Sequence, residues 1–309
     1  MPSKQYLSIE NARNINRLSP GNQRFSIGDR IRNALNLGVG FQEDQKYYVD
    51  DANGSDTNDG LSWETAFKTI MKGVNTARYL DGTTTIDDSK DHHKYVFVAP
   101  GVYNEQILFS GYNIHLIGMM YNLGNVDYGV VINKDEAVIA TCVVGFTGVG
   151  IEIANLQIHN AAAIPTLWSP TPGDGCWIHD NYIDGDDTNV AYGIKIDDCR
   201  NSIIENNRVF NCTTIGIQCG ATGGYFRNSE VIGNRVSGSQ GVGIQVPTGV
   251  VCGAGYGSII AHNYIIGTCT TGIHNQVAGA YVLIADNWVQ AATTVTDAGT
   301  GDADNHDAA

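Results

Sequence analysis

The sequence predicts an all-β strand solenoid, and three observations lead there. The first is composition: 37 glycines, 42% hydrophobic and only 16% charged residues in 309 positions describe short strands joined by tight turns rather than helices. The second is a repeat. Six segments, IANLQI, IHDNYI, IENNRV, VIGNRV, IAHNYI and IADNWV, each place an asparagine just ahead of an apolar residue. These asparagines, Asn155, Asn181, Asn207, Asn234, Asn263 and Asn287, follow at intervals of 26, 26, 27, 29 and 24 residues. The third is a companion element between them: GIKI at Gly193, GIQC at Gly216, GIQV at Gly243 and GIHN at Gly272. Two motifs that keep phase over so many intervals mark coils stacked along an axis.

Taken in order, residues 1–43 form a basic arm. Residues 1–42 hold six Lys/Arg against Glu10 and Asp29, a net +4 on a chain of net −14, so the remainder carries −18. Arg13, Arg17, Arg24, Arg30 and Arg32 are the anchor candidates, because the helical stretch at 27–37 is too short to stand alone and needs a partner surface. The opening MPSKQYLSIENARN has no apolar core of a secretory signal, and no run approaches a bilayer span. The expectation is a protein made in a host cytoplasm and not exported by the general route. An acidic body repels nucleic acid and anionic membranes, which excludes both as its partners.

Residues 44–95 read as a strand, a Gly/Asp/Asn loop and a helix. Ser62 is the expected N-cap, and Phe67, Ile70, Val74 and Ala77 form an apolar stripe that covers the open end of the first coil. The loop 50–60 lacks calcium-loop spacing with a closing Glu and reads as Asx turns. The run DHHK at 91–94 reads as a solvated loop. Residues 96–292 are the coils. Ile194 and Ile196 share columns with Ile217 and Cys219, then Ile244 and Val246, all pointing inward, while Lys195, Gln218, Gln245 and His274 point outward. The six asparagines are expected in one turn column, bonded rung to rung in left-handed backbone. Residues 293–309 are an acidic tail.

The run YYVDDANGSDTNDG…W…AFKTI, followed by VFVAPGVYNEQI, resembles the opening of right-handed parallel β-helix proteins of the pectin-lyase-like superfamily, over about residues 46–290. The resemblance implies the fold: a single right-handed parallel β-helix with an N-terminal capping helix and an extended or helical arm. It leaves function open among polysaccharide lyases and hydrolases, phage tailspikes and non-catalytic virion or surface proteins.

Chemistry is sparse. The seven cysteines form no CxxC and no zinc spacing, and are read as reduced core residues; no metal and no cofactor is expected. Asp197 and Asp198 are the one candidate acid/base pair, with Asp174, Asp180, Asp184, Asp186 and Asp187 one coil upstream. The positions that follow Cys219 and Val246 are Gly220 and Pro247, so a turn explains the pair most simply. The Gly-His-Gly and Arg-Ile-Lys signatures of the polygalacturonase-like group, and the calcium-aspartate pattern of pectate lyases, are absent. The more unusual column follows the asparagines: Tyr182, Arg208, Arg235, Tyr264 and Trp288, a sugar-stacking strip or a subunit interface. The reading is a non-enzymatic virion structural protein, a capsid decoration or tail-associated component. It is a homotrimer through this strip, bound to another virion protein through its arm, with surface glycan as a further ligand. The alternative is a carbohydrate-active phage depolymerase, lyase or hydrolase using Asp197 and Asp198.

Overall fold

The computed structural model describes residues 44–78, 92–119, 129–132, 141–170, 173–185, 190–238, 241–252, 257–278, 281–298 and 306–307. The arm, with its five arginines, lies outside the described residues, as do Asp186 and Asp187. The fold is a right-handed parallel β-helix, an all-β solenoid with very little helix. Among the described residues its strands form three sheets of nine, eleven and nine strands, and every strand pairing between coils is parallel. The first sheet runs from Gln45–Val49 to Val282–Ala285, and the third from Gly101–Tyr103 to His306–Asp307. The second carries Tyr192–Ile196, Ile215–Cys219, Val242–Val246 and Thr271–Asn275 as successive rungs.

Parallel in-register stacking turns the sequence period into columns. In the first sheet Ile153, Ile178, Ile204, Val231, Ile260 and Ile284 pair in series. In the third the series is Ile158, Ile183, Val209, Val236, Ile265 and Val289. In the second, Leu167, Ile194, Ile217, Ile244 and Ile273 do the same. All of these side chains are buried in one continuous core, each worth about 1.5–3 kcal/mol relative to exposure. Val295, on the strand Thr293–Asp297, adds a further rung, so coils continue past residue 292 into the stretch read as tail. None of the seven cysteines is in a disulfide, and all but the half-buried Cys252 are buried.

Two corner ladders stitch the coils. Asn181 Nδ2 donates to Asn207 Oδ1 at 3.0 Å, and the pattern repeats through Asn234, Asn263 and Asn287. Each Nδ2 also donates to a carbonyl of the coil before it, as Asn234 does to Ile204. Asn155 is not in this column: Ala154 pairs with His179, so Leu156 occupies the ladder position and donates its N–H to Asn181 Oδ1. Nor do the ladder asparagines adopt left-handed backbone. That falls on the residue before each, Asp180, Asn206, His262 and Asp286, with φ of 53–56°, and Asn155 belongs to this set at φ 57°. The remaining member is Gly233 (φ 65°), where an added Cβ would lie 2.7 Å from Asn206 Oδ1. A second ladder runs through serine hydroxyls, which accept the N–H groups of Cys176, Ser202 and Ser229 one coil back.

The helix is shorter than its apolar stripe suggests, spanning Ile70–Arg78. Ser62 caps only a local turn, accepting from Thr65 N. Residues up to Phe67 are held out of the helix by extended pairing, since Phe67 N donates to Tyr48 O and Asp50 N to Phe67 O. Thr69 Oγ1 is the N-cap, accepting from Lys72 N. The Glu105 carboxylate accepts Ile70 N at 2.7 Å and Met71 N at 2.9 Å, which neutralises the first turn's unpaired donors. In the loop, Asp50 accepts from Ala52 and Asn53, and Asp59 from Leu61, which are the expected Asx turns.

Candidate functional site

Three outward faces carry chemistry-bearing side chains. On the second sheet, Asp197 and Asp198 form the bend between Tyr192–Ile196 and Cys199–Arg200. Asp197 N donates to Ser169 O, and the Asp198 carbonyl accepts Gly173 N. Their side chains are committed. Trp168 Nε1 donates to Asp197 Oδ2 at 2.9 Å, and Lys195 Nζ stands 3.0 Å from Oδ1. That ammonium also lies 5.1 Å from the Trp168 ring centroid and 5.4 Å from that of Tyr192. Asp198, buried, receives Arg200 Nε at 2.8 Å and Nη2 at 2.5 Å. The Arg200 guanidinium rests 4.2 Å from the Tyr225 ring centroid, and Arg227 lies 4.0 Å from the same ring.

Of the described upstream carboxylates only Asp174 lies beside this bend, one rung from Arg200. Asp174 shares the second sheet and accepts from Asn201 Nδ2. Asp180 pairs with His179 at the corner after the first sheet, and Asp184 accepts from Asn211 on the third. Acid/base work on a glycosidic bond needs two carboxyl groups free to face one substrate. Here one is tied by indole and ammonium, the other by a bidentate guanidinium.

The third sheet brings the sequence-derived strip together. Tyr182 pairs with Arg208, Arg208 with Arg235, Arg235 with Tyr264 and Tyr264 with Trp288, one residue per coil at about 4.8 Å per rung. Exposure rises along it: Tyr182 and Arg208 are half-buried, Arg235 is exposed, Tyr264 is 40% exposed and Trp288 46%. The Tyr264 and Trp288 rings stack with centroids 6.2 Å apart and planes 24° apart. Arg235 lies 5.4 Å from the Tyr264 centroid and has no carboxylate partner among the described residues.

The first sheet holds a cluster the sequence reading missed. His93 Nδ1 lies 2.6 Å from His115 Nε2, and His115 Nδ1 bonds Glu152 Oε2. His179 Nε2 lies 2.9 Å from Glu152 Oε1, and its Nδ1 2.7 Å from Asp180. Tyr95 stacks on His115 and Trp177 on His179, the latter with centroids 3.9 Å apart. Within the DHHK run the described end is not a solvated loop: His93 joins this cluster, and Lys94 starts a strand and is buried. Burial alone would raise the Glu152 carboxyl, but the hydrogen bonds and charge of His115 and His179 prevail and hold it down to about 2. Burial likewise opposes charge on His179, and the bonds from Glu152 and Asp180 override it, raising its pKa above the usual imidazole value. The outward alternation of Tyr95, His115 and Glu152 was the available signal, but only strand register shows that the three meet.

The family model for periplasmic copper-binding protein (NosD) matches residues 106–306, which are these coils. The chain belongs to the NosD family. Copper sites are built from converging imidazole, thiolate or thioether donors with open lone pairs, and the donors among the described residues do not fit one. Both ring nitrogens of His115 and His179 are occupied by hydrogen bonds. Among the described residues no three His, Cys, Asp or Glu side chains converge as a metal requires. Among curated proteins none matches this NosD-family chain significantly. Several solved structures are similar to it. Pectin methylesterase PemA from Erwinia chrysanthemi is 14% identical, with 81% of this chain and 79% of that one aligned and a TM-score of 0.48. A pectin methylesterase in complex with hexasaccharide VII is 15% identical over the same shares, with a TM-score of 0.47. The complex of XylC with xylose is 11% identical, covering 84% of this chain and 68% of that one, with a TM-score of 0.42.

Proposed function

We propose that this protein is a non-enzymatic structural component of a virus particle: a rigid β-helical body attached through its basic arm and presenting the Arg235–Tyr264–Trp288 strip outward. The observation that carries the non-enzymatic reading is the closure of the one candidate acid/base pair, Asp197 by Trp168 and Lys195 and Asp198 by Arg200. The +4 arm on an acidic chain supports attachment to an acidic surface of a neighbouring virion protein. Arg13, Arg17, Arg24, Arg30 and Arg32 are the anchoring residues in this proposal.

The test has two arms. Protein lacking residues 1–42 is expected to stay folded, because the coils, ladders and helix bond among themselves, and to stop co-sedimenting with assembled particles. Unchanged co-sedimentation would remove the anchor. The full chain is expected to release no reducing ends from a panel of polysaccharides, and Asp197→Asn to change nothing in that assay. Cleavage by the parent that disappears in Asp197→Asn would replace this function with a carbohydrate-active one.

A further inference from the structure

We infer that the third-sheet strip joins two copies of this chain, packed face to face with their β-helix axes reversed. The inference names the partner of the outward strip in the proposed function, and it rests on that reading in taking the strip as a contact surface. Along the axis the strip reads Tyr182, Arg208, Arg235, Tyr264, Trp288 in consecutive rungs. The exposed Arg235 and Tyr264 are adjacent members of it. A two-fold axis midway between those two rungs, running along the strands between the facing sheets, reverses the order of rungs and keeps each column opposite itself. Arg235 of each copy then meets Tyr264 of the other, and Arg208 meets Trp288. At the next outward position along the strands, Ser237 meets Ile266. A cation faces a ring at each of the four central rungs. Reversed, the strip is its own complement.

One chain already makes the contact that the reversed copy repeats. Arg235 lies 5.4 Å from the centroid of its own Tyr264 ring, and the Tyr264 and Trp288 rings stay largely open to water. A guanidinium brought to such a ring gains most when water is excluded from the contact. Parallel packing of two or three copies is the poorer arrangement, because it sets each rung against itself and Arg235 against Arg235. The face carries a carboxylate as well. Asp184, on the strand of Tyr182, accepts from Asn211 Nδ2 at 2.9 Å and stands two rungs before Arg235. Reversal leaves it at the rim, three rungs from Arg235 of the second copy, so the central cation–ring pairs form without it. The five rungs cover only about 24 Å, a footprint below the roughly 800 Å² per partner of a standard stable interface. The dimer is therefore reversible, with a Kd on the order of 10 µM, and each body folds without it.

Sedimentation of the full chain from about 1 to 200 µM tests this, at salt that screens the two acidic bodies beyond about 8 Å. The average mass is expected to rise reversibly from one chain to two. Arg235→Ala is expected to weaken association at least about tenfold, because the two-fold axis counts each lost contact twice. Tyr264→Glu decides the direction of packing. Between reversed copies the new carboxylate stands opposite Arg235 of the other copy, and association persists within about threefold. Between parallel copies it opposes itself, and association is lost. Circular dichroism is expected to match the parent in both variants, and unfolding well below the Kd reads the monomer alone. A strictly monomeric parent, a mass of three chains, unchanged association in Arg235→Ala, or its loss in Tyr264→Glu overturns the inference. Arm and strip are separate segments, so the two readings fail separately. Lost attachment to particles leaves the monomer–dimer equilibrium standing, and a strictly monomeric chain leaves co-sedimentation untouched.

Discussion

The second and third sheets face solvent with the same vocabulary, aromatic rings, cations and amphipathic side chains, yet they use it in opposite ways. On the second sheet the charges at the bend are partnered within their own coil or by a neighbouring ring: Lys195 with Asp197 and two rings, Arg200 with Asp198 and Tyr225. On the third, Arg235 has no carboxylate partner among the described residues and lies over the Tyr264 ring, and Tyr264 and Trp288 keep close to half their surface in water. A satisfied network adds stability and specifies a single arrangement. An unsatisfied, exposed one leaves interaction energy for a ligand. Function is therefore to be sought where the chemistry is open, even though the paired carboxylates draw the eye first.

The largest expected effect tests the frame common to both faces. Asn234 Oδ1 accepts from the backbone and the side chain of Asn207, while its own Nδ2 reaches Ile204 O and Asn263 Oδ1. Asn234→Ala leaves several buried groups without partners, and denaturant unfolding is expected to show a loss of about 3 kcal/mol. A loss near zero would mean that the ladder is ornamental.

Next comes the closed face. Asp198→Ala removes a bidentate pair and leaves Arg200 beside a buried site; a loss of about 2 kcal/mol is expected after discounting for the exposure of Arg200. If Asp198→Ala is as stable as the parent, that face is less closed than its geometry implies.

The first-sheet cluster is also closed, and it makes closure visible as pH dependence. Glu152 is depressed to about 2 from its ordinary 4.5, so its contribution is present above about 4.5 and lost as pH falls toward 2. His179 is raised above 6.5, so its contribution is complete below 6.5 and lost as pH rises through the raised value. Thermal stability is expected to peak between about 4.5 and 6.5, and Glu152→Gln to flatten both flanks. A parent profile without an alkaline decline above 6.5 would break the pairing of His179 with Glu152.

The smallest effect belongs to the open face. Trp288→Ala and Arg235→Ala are expected to change stability by less than about 0.5 kcal/mol, measured by the same unfolding curves. A larger loss would make the strip a structural cover and erase the contrast between the two sheets.

What the sequence determined by itself is whatever repeats. Stacked parallel coils convert a period of about 26 residues into columns, so the inward isoleucines, five of the six asparagines and the Tyr182–Trp288 strip could be read from phase alone. What only the tertiary structure decided is whatever depends on the exact length between coils or on contacts made once. Asn155 stands 26 residues before Asn181, as a ladder member should, but the pairing of Ala154 with His179 shifts it by one residue into the left-handed corner. The helix start was set by the backbone of Tyr48 and Asp50 holding Phe67 extended, a long-range bond that no helical stripe reveals. The histidine cluster joins residues separated by 22, 37 and 27 positions. Such unequal spacings carry no periodic signal, and only the register of the first sheet brings those side chains together. The same holds for closure. Two adjacent aspartates look reactive in a string of letters, and the indole, ammonium and guanidinium that occupy them arrive from Trp168, Lys195 and Arg200, on three strands of the folded sheet.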